Sequence, residues 1–281
     1  AAFGEMIPQV QRGTHVGLVL AIAFLLYAGR KGIAGKNPSP IDVLLALGGL
    51  VVGFYQVIFA EHIIRMAGDY SDLDLAIAGL AVLLVLEATR RVIGWPLVLV
   101  AIASMAYAFL GPYLPGGLNH SGFSLTRIAS QSYLTTEGIM GIPIGVSSTF
   151  VFMCILFGAF LQKSGLGKFF IDLAMSLTGT MTGEPAKIAV VSSGMMGTIS
   201  GSSTANVVTT GSFTIPMMKS IGYKPHFAGA VEATASTGGQ LMPPIMGAAA
   251  FIMAEFTNLP YVQIAIAAAL PAFRGQIEQV P

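Results

Sequence analysis

SSGMMGTISGSSTANVVTTGSFTIP, running from Ser192 to Pro216, decides how the rest of this chain folds. It is apolar enough for a membrane, yet its middle reads Ser200-Gly201-Ser202-Ser203-Thr204-Ala205-Asn206. In lipid, such a run leaves hydroxyl, amide and freed backbone groups without partners. Irregular backbone persists at membrane depth only when buried in protein or lining a wet cavity. The stretch therefore reads as two half-helices meeting at a polar tip, and that tip is the candidate ligand and ion site.

Composition places the remainder. Of 281 residues, 54% are hydrophobic and only 10% charged, against roughly 25% charged in soluble domains. Several long apolar runs then imply an all-α polytopic membrane protein. A net charge of +1 leaves no footprint for nucleic acid. The single cysteine, Cys154, lies in an apolar run and reads as a small packed hydrophobe. No Cys/His spacing suits a metal, and no GxSxG elbow supports an intramembrane serine enzyme.

From the N-terminus, spans are expected at about Thr14–Gly29, Ile41–Ala60, Leu75–Ala88, Trp95–Leu110 and Ile142–Leu161. Acids dominate the loop Glu61–Asp74, and Trp95 sits where an interfacial anchor belongs. Leu166, Phe169, Phe170, Leu173 and Leu177 share one helical face, predicting an amphipathic interfacial helix over about 166–178. The broken hairpin covers about 186–219. A discontinuous helix follows over about 226–256, interrupted at Ser236-Thr237-Gly238-Gly239-Gln240 and at Pro243-Pro244, and resuming at Ile245. A last apolar stretch, Tyr261–Leu270, precedes a polar tail.

Positive charge sets the orientation. With the loop after the first span inside, Arg30, Lys31, Lys36, Arg90, Arg91, Lys163, Lys168, Lys187, Lys219, Lys224 and Arg274 are cytoplasmic; Arg12, Arg65 and Arg127 are not. This split requires the segment from Ala186 to Lys219 to enter the bilayer and return to the same face.

GTISGSSTANVVTTGSFTIPMMKSIGY and GAVEATASTGGQLMPPIMGAAAFIMAE resemble the large membrane subunit of tripartite ATP-independent periplasmic (TRAP) transporters. FLGPYLPGG, YLTTEGIMGIPIGVSSTFVFMCILFGAFLQKSG and NVVTTGSFTIP are similar to fused permeases that work with TAXI-type solute-binding proteins. The resemblance implies a multi-pass protein of the bacterial inner membrane and an elevator-type, sodium-coupled symporter. It would take a small carboxylate from a periplasmic binding protein and use no cofactor beyond the coupling Na+. Residues 1–127 would be small-subunit-like scaffold, and 128–281 the first inverted repeat of the transport domain.

Carried onto this sequence, the sodium site falls at Ser200, Gly201, Ser202, Ser203 and Asn206. It is completed near Thr234, Ser236, Thr237, Gly238 and Gly239, with Ser200, Ser202, Asn206 and Thr237 as ion ligands. Pro243 and Pro244 would fix the helix break. The family's second repeat begins beyond the position of Pro271, and FRGQIEQVP does not continue the apolar helix found there. By that comparison the sequence reads as the first repeat only, a truncated chain, and a non-transporting scaffold fragment is the alternative function.

Plainer readings stand beside these. The small residues of the tip can serve close helix packing alone. Glu232 is an intramembrane acid that either bridges packed helices or has a function. Glu255 lies near a helix end, and Glu87 is spaced to pair locally with Arg90 and Arg91. Polar residues clustered at two breaks argue against a channel, whose lining would run along a whole helix face.

Overall fold

A computed structural model describes residues 7–27, 38–66, 68–178 and 184–277. Their regular structure is all helix, with no strand among them. Arg30, Lys31 and Lys36, the expected positive end of the first span, and the tail beyond residue 277 lie outside the described residues. The chain divides into two compact units, Ala1–Ser148 and Thr149–Pro281.

The first unit holds α1 (Pro8–Leu26), α2 (Pro40–Ile58), α3 (Ala60–Arg65), α4 (Asp72–Val92), α5 (Trp95–Leu110), α6 (Leu125–Tyr133) and α7 (Ile142–Val146). Helices α1 and α2 meet along glycine. Gly13 and Gly17 lie against Gly49 and Gly53, and a Cβ on Gly53 would fall 2.4 Å from the Gly17 Cα. This is the small-xxx-small contact by which membrane helices gain packing where lipid offers no hydrophobic drive.

Each end of this unit is fixed by buried polar groups. At one, Arg91 of α4 donates to Asp42 of α2 at 2.6 Å, to Glu87 at 2.7 Å and to the Tyr27 carbonyl after α1, and lies over the Phe24 ring. At the other, Asp74 accepts from the Tyr55 hydroxyl, and the Tyr133 hydroxyl donates to the Val52 carbonyl. Arg12 belongs to this second end, donating to the Met140 carbonyl.

Two expectations are corrected here. Asp72 and Asp74 are not loop acids. Ser71 and Asp74 form a capping box that opens α4, and Asp74 is fully buried. The reason is local: the Ser71 Oγ and the Asp74 carboxylate satisfy each other's free backbone N–H groups, so the helix begins three residues early. Similarly, α1 starts at Pro8, not near Thr14, because proline suits a first helical turn whose N–H groups lack partners.

The second unit holds α8 (Phe152–Lys163), α9 (Leu166–Thr178), α10 (Glu184–Ser200), α11 (Ser203–Ser220), α12 (Pro225–Gly239), α13 (Ala248–Thr257) and α14 (Tyr261–Ile277). A π turn, Ser147–Val151, lies at the junction with α7. Four runs among the described residues are long and apolar enough to cross a membrane: Pro8–Leu26, Pro40–Ile58, Trp95–Tyr113 and Ile142–Leu161. Helix α4, expected as a span, is 21 residues long but is not among them. Large apolar side chains such as Leu99, Val100, Phe160 and Ile266 are exposed, while glycine and alanine fill the contacts. A soluble protein hides the first class; lipid-facing helices do not need to.

Helix α9 shows the same inversion. It covers the expected 166–178, but Phe169 and Leu177 of the anticipated apolar face are exposed. Gly167, Ile171 and Ala174 are the buried positions. Gly167 and Ala174 let backbones approach beside Ile171, which leaves Phe169 and Leu177 outward and Leu166, Phe170 and Leu173 half-buried.

Candidate functional site

Helices α10 and α11 form an antiparallel pair. The Asn206 amide donates to the Ser193 carbonyl at 2.8 Å, and the Ser193 and Thr210 hydroxyls lie 3.1 Å apart. Lys187 and Lys219 therefore share the end opposite the turn. The turn itself is shorter than Ser200–Asn206. Only Gly201 and Ser202 leave the helix, with Gly201 at φ +57°. The Ser202 Oγ accepts the Ala205 N–H and caps α11, so Ser203 and Asn206 are helical. A serine run following glycine shortens the break because it supplies the acceptor that a new helix start lacks.

The second interruption is displaced in the opposite sense. Helix α12 continues through Ser236, Thr237, Gly238 and Gly239, and the irregular segment is Gln240–Gly247. It contains a cis Pro243–Pro244 bond and Met246 at φ +57°, and closes with Gly247 N–H donating to the Gln240 carbonyl. The helix resumes at Ala248, not Ile245. Consecutive prolines have no N–H to give a ladder, so the restart waits until Gly247 can serve as N-cap.

These two interruptions touch. A Cβ on Gly197 would lie 2.2 Å from the Gly239 carbonyl oxygen, and one on Gly201 would lie 2.2 Å from the Met246 carbonyl oxygen. Ile245 N–H donates to the Thr198 carbonyl at 3.3 Å. The C-terminal ends of α10 and α12 thus come together with the N-terminal ends of α11 and α13. Helix C-termini carry negative partial charge and N-termini positive, a combination suited to a cation beside a carboxylate. The Ser200 Oγ is buried at this junction without a hydrogen-bond partner. An apolar groove of about 750 Å³ opens beside it between α13 and α14, lined by Gln240, Met246, Gly247, Ala250 and Ile264 among others.

The expected site residues do not all gather here. Ser200, Gly201, Ser202, Asn206 and Gly239 are at or beside the contact; Gly239 would meet the Asn206 amide if it carried a Cβ. Thr234 and Thr237 are exposed, and their hydroxyls donate to the carbonyls of Ala230 and Ala233 within their own helix. Ser236 is buried, but its hydroxyl turns to Glu232. For Glu232 the sequence allows both a bridging and a functional role. The residue is fully buried and accepts from Ser193, Thr210, Thr214 and Ser236. Those four hydroxyls come from three helices, so no local pattern announces them.

The polar tail is also corrected. Helix α14 runs to Ile277, past Pro271, and buried Gln276 donates to the Ala235 carbonyl at 3.0 Å. A polar residue continues the helix because its amide reaches an acceptor on α12.

Asn206→Ala is expected to lower stability by about 1–3 kcal/mol, the range for disrupting a buried hydrogen bond. Equilibrium unfolding of the purified protein in detergent measures it. An unchanged midpoint would mean that the amide does not tie α11 to α10.

The model of the DctM component of the tripartite ATP-independent periplasmic transporters matches residues 80–275, more than half of the chain. The chain belongs to this family. Among its relatives, the Vibrio cholerae C4-dicarboxylate TRAP transporter large permease protein DctM is 30% identical over 58% of this chain and 33% of its own length. A putative TRAP transporter large permease protein of Haemophilus influenzae is 31% identical over 44% of the chain and 28% of its own. The isethionate TRAP transporter permease protein DctMQ of Oleidesulfovibrio alaskensis is 30% identical over 43% and 20%. This DctM-family chain thus spans about a fifth to a third of the curated relatives it matches. No solved structure matches it. Membership and the apolar helical runs together make it a multi-pass membrane protein.

Proposed function

We propose that this chain is part of the permease of a sodium-coupled secondary transporter. It imports a small organic anion across the bacterial inner membrane, delivered by a periplasmic binding protein of the TAXI type. The observation that carries the reading is the contact of two helix interruptions at Gly201–Met246, beside the close approach of α10 and α12 at Gly197–Gly239. A hard cation needs oxygen ligands. The carbonyls ending α10 and α12 and the unpartnered Ser200 Oγ supply them. The N-terminus of α11, capped by Ser202, offers free N–H groups to a carboxylate.

The names of the relatives support the substrate class, since C4-dicarboxylate and isethionate are both small organic anions. Residues 1–127 serve as scaffold and 128–281 as the first repeat of a transport domain that moves as an elevator, with the α10–α11 pair re-entrant. Charge supports the topology. Arg91 lies at one end of its unit and Arg12 at the other, while Lys187 and Lys219 share the base of the α10–α11 pair.

The test is uptake by the full-length permease in proteoliposomes with its binding protein. An inward sodium gradient is expected to drive accumulation, and sodium is expected to protect a cysteine placed at Ser202 from labelling. Uptake indifferent to sodium, together with labelling indifferent to sodium, would overturn the reading.

A further inference from the structure

Among the described residues of the second unit, Glu232 is the most deeply buried carboxylate, and the break at Gly201 does not use it. Its side chain has no exposure. Its Oε1 accepts from Thr210 at 2.5 Å, Ser193 at 2.9 Å and Ser236 at 3.2 Å, and its Oε2 accepts from Thr214 at 2.5 Å. No Lys, Arg or His among the described residues lies within ion-pair distance of it. Burying a charge without a counter-charge is costly, and an acid at membrane depth that has none is a functional candidate.

We propose that Glu232, with the hydroxyls of Ser193, Thr210, Thr214 and Ser236, forms a binding site for one sodium-class cation, separate from the helix break. Five side chains from α10, α11 and α12 converge here, all ligating through hard oxygen, which is the chemistry alkali and alkaline-earth ions take. One negative charge among neutral hydroxyls matches a monovalent ion and leaves a divalent one under-compensated. The two threonine hydroxyls are also free to turn. Thr210 has the Asn206 carbonyl at 2.9 Å and Thr214 the Thr210 carbonyl at 3.1 Å as alternative acceptors one turn back. Each can send its proton there and present a lone pair to the ion.

Gly211 lets the carboxyl stem reach α11, since a Cβ there would lie 3.0 Å from the Glu232 Cγ. The site also connects to the break. Thr210 lies within 3.3 Å of the Asn206 Oδ1, and the Asn206 amide bonds the Ser193 carbonyl beside Gly239. An ion at Glu232 therefore bears on how tightly α10, α11 and α12 pack where the interruptions meet. The site stands on this geometry; only its consequence for transport rests on the function proposed above.

The test uses the purified full-length permease, titrated with NaCl against choline chloride at constant ionic strength and fixed pH. Calorimetry reads affinity, and difference infrared spectroscopy reads the carboxylate stretch. Sodium is expected to shift a carboxylate band that is missing in Glu232→Gln, and both Glu232→Gln and Thr214→Val are expected to weaken sodium binding at least about tenfold. Should Glu232→Gln fail to fold, Thr214→Val, which keeps the charge, decides the matter by its affinity. Sodium affinity unchanged in the variants overturns the proposal. So does a Glu232 band that responds to pH and not to sodium, which would assign the group to a proton. Neither result touches the uptake and Ser202 labelling tests, so the two readings fail separately.

Discussion

Gly197→Ala is expected to abolish the proposed sodium-driven uptake while leaving the chain able to insert in the membrane. The new methyl would lie 2.2, 2.4 and 2.5 Å from the carbonyl oxygen, carbonyl carbon and Cα of Gly239. All three are backbone atoms of α12, so no side-chain rotation relieves the clash. Helices α10 and α12 must separate, and the Ile245 N–H bond to the Thr198 carbonyl goes with them. Overpacking of this kind costs about 1–3 kcal/mol, which a membrane helix pair can survive. The oxygen ligands proposed at the junction would not survive in register, and loss of about one ångström of alignment in a preorganised site can cost about a hundredfold in rate. The measurement is initial uptake in proteoliposomes beside the unfolding midpoint of the same preparation. Wild-type uptake by Gly197→Ala would show that the interruptions need not touch for transport.

Arg91→Ala should bring the largest loss of stability, about 3–5 kcal/mol, the cost of stranding the buried partner of an ion pair. The Arg91 and Asp42 side chains are only 4% and 6% exposed. Arg91 also holds Glu87 and the Tyr27 carbonyl and covers Phe24, so one guanidinium ties the ends of α1, α2 and α4. Asp42 would keep only its bonds to Ser39. Equilibrium unfolding in detergent reads the loss. Adding Asp42→Asn to Arg91→Ala should recover part of it by removing the stranded charge. A loss under about 1 kcal/mol would place the pair with solvent-screened ion pairs. Arg91→Lys should fall between, because lysine keeps the charge but not the planar fork.

Much of the helical plan is legible along the chain. Long apolar runs mark helices α1, α2, α5 and the run from Ile142, and the Ser/Gly stretch marks an interruption near Gly201. The errors lie at the ends of these elements. Ser71 and Asp74 start α4 early, Ser202 shortens the first break, and Pro243-Pro244 delays α13 to Ala248. Each is a matter of which side chain satisfies a terminal N–H, and short sequence windows contain several candidates for that role. The local pairing of Glu87 with Arg90 and Arg91 was visible at helical spacing; the reach of Arg91 to Asp42, 49 residues away, was not.

Taken alone, the sequence determined that this is a helical membrane chain with two polar interruptions, because apolar length, charge depletion and helix-breaking residues act on their own neighbourhoods. Only the tertiary structure decided that the interruptions meet at Gly201 and Met246, where α10 and α12 approach backbone to backbone at Gly197 and Gly239. It also decided that Ser193, Thr210, Thr214 and Ser236 turn toward Glu232 while Thr234 and Thr237 stay exposed. The hydroxyls of helical serines and threonines can bond a carbonyl of their own helix or a partner on another. Which they choose depends on the faces that packing brings together, and adjacent glycines set those faces by how closely two backbones approach.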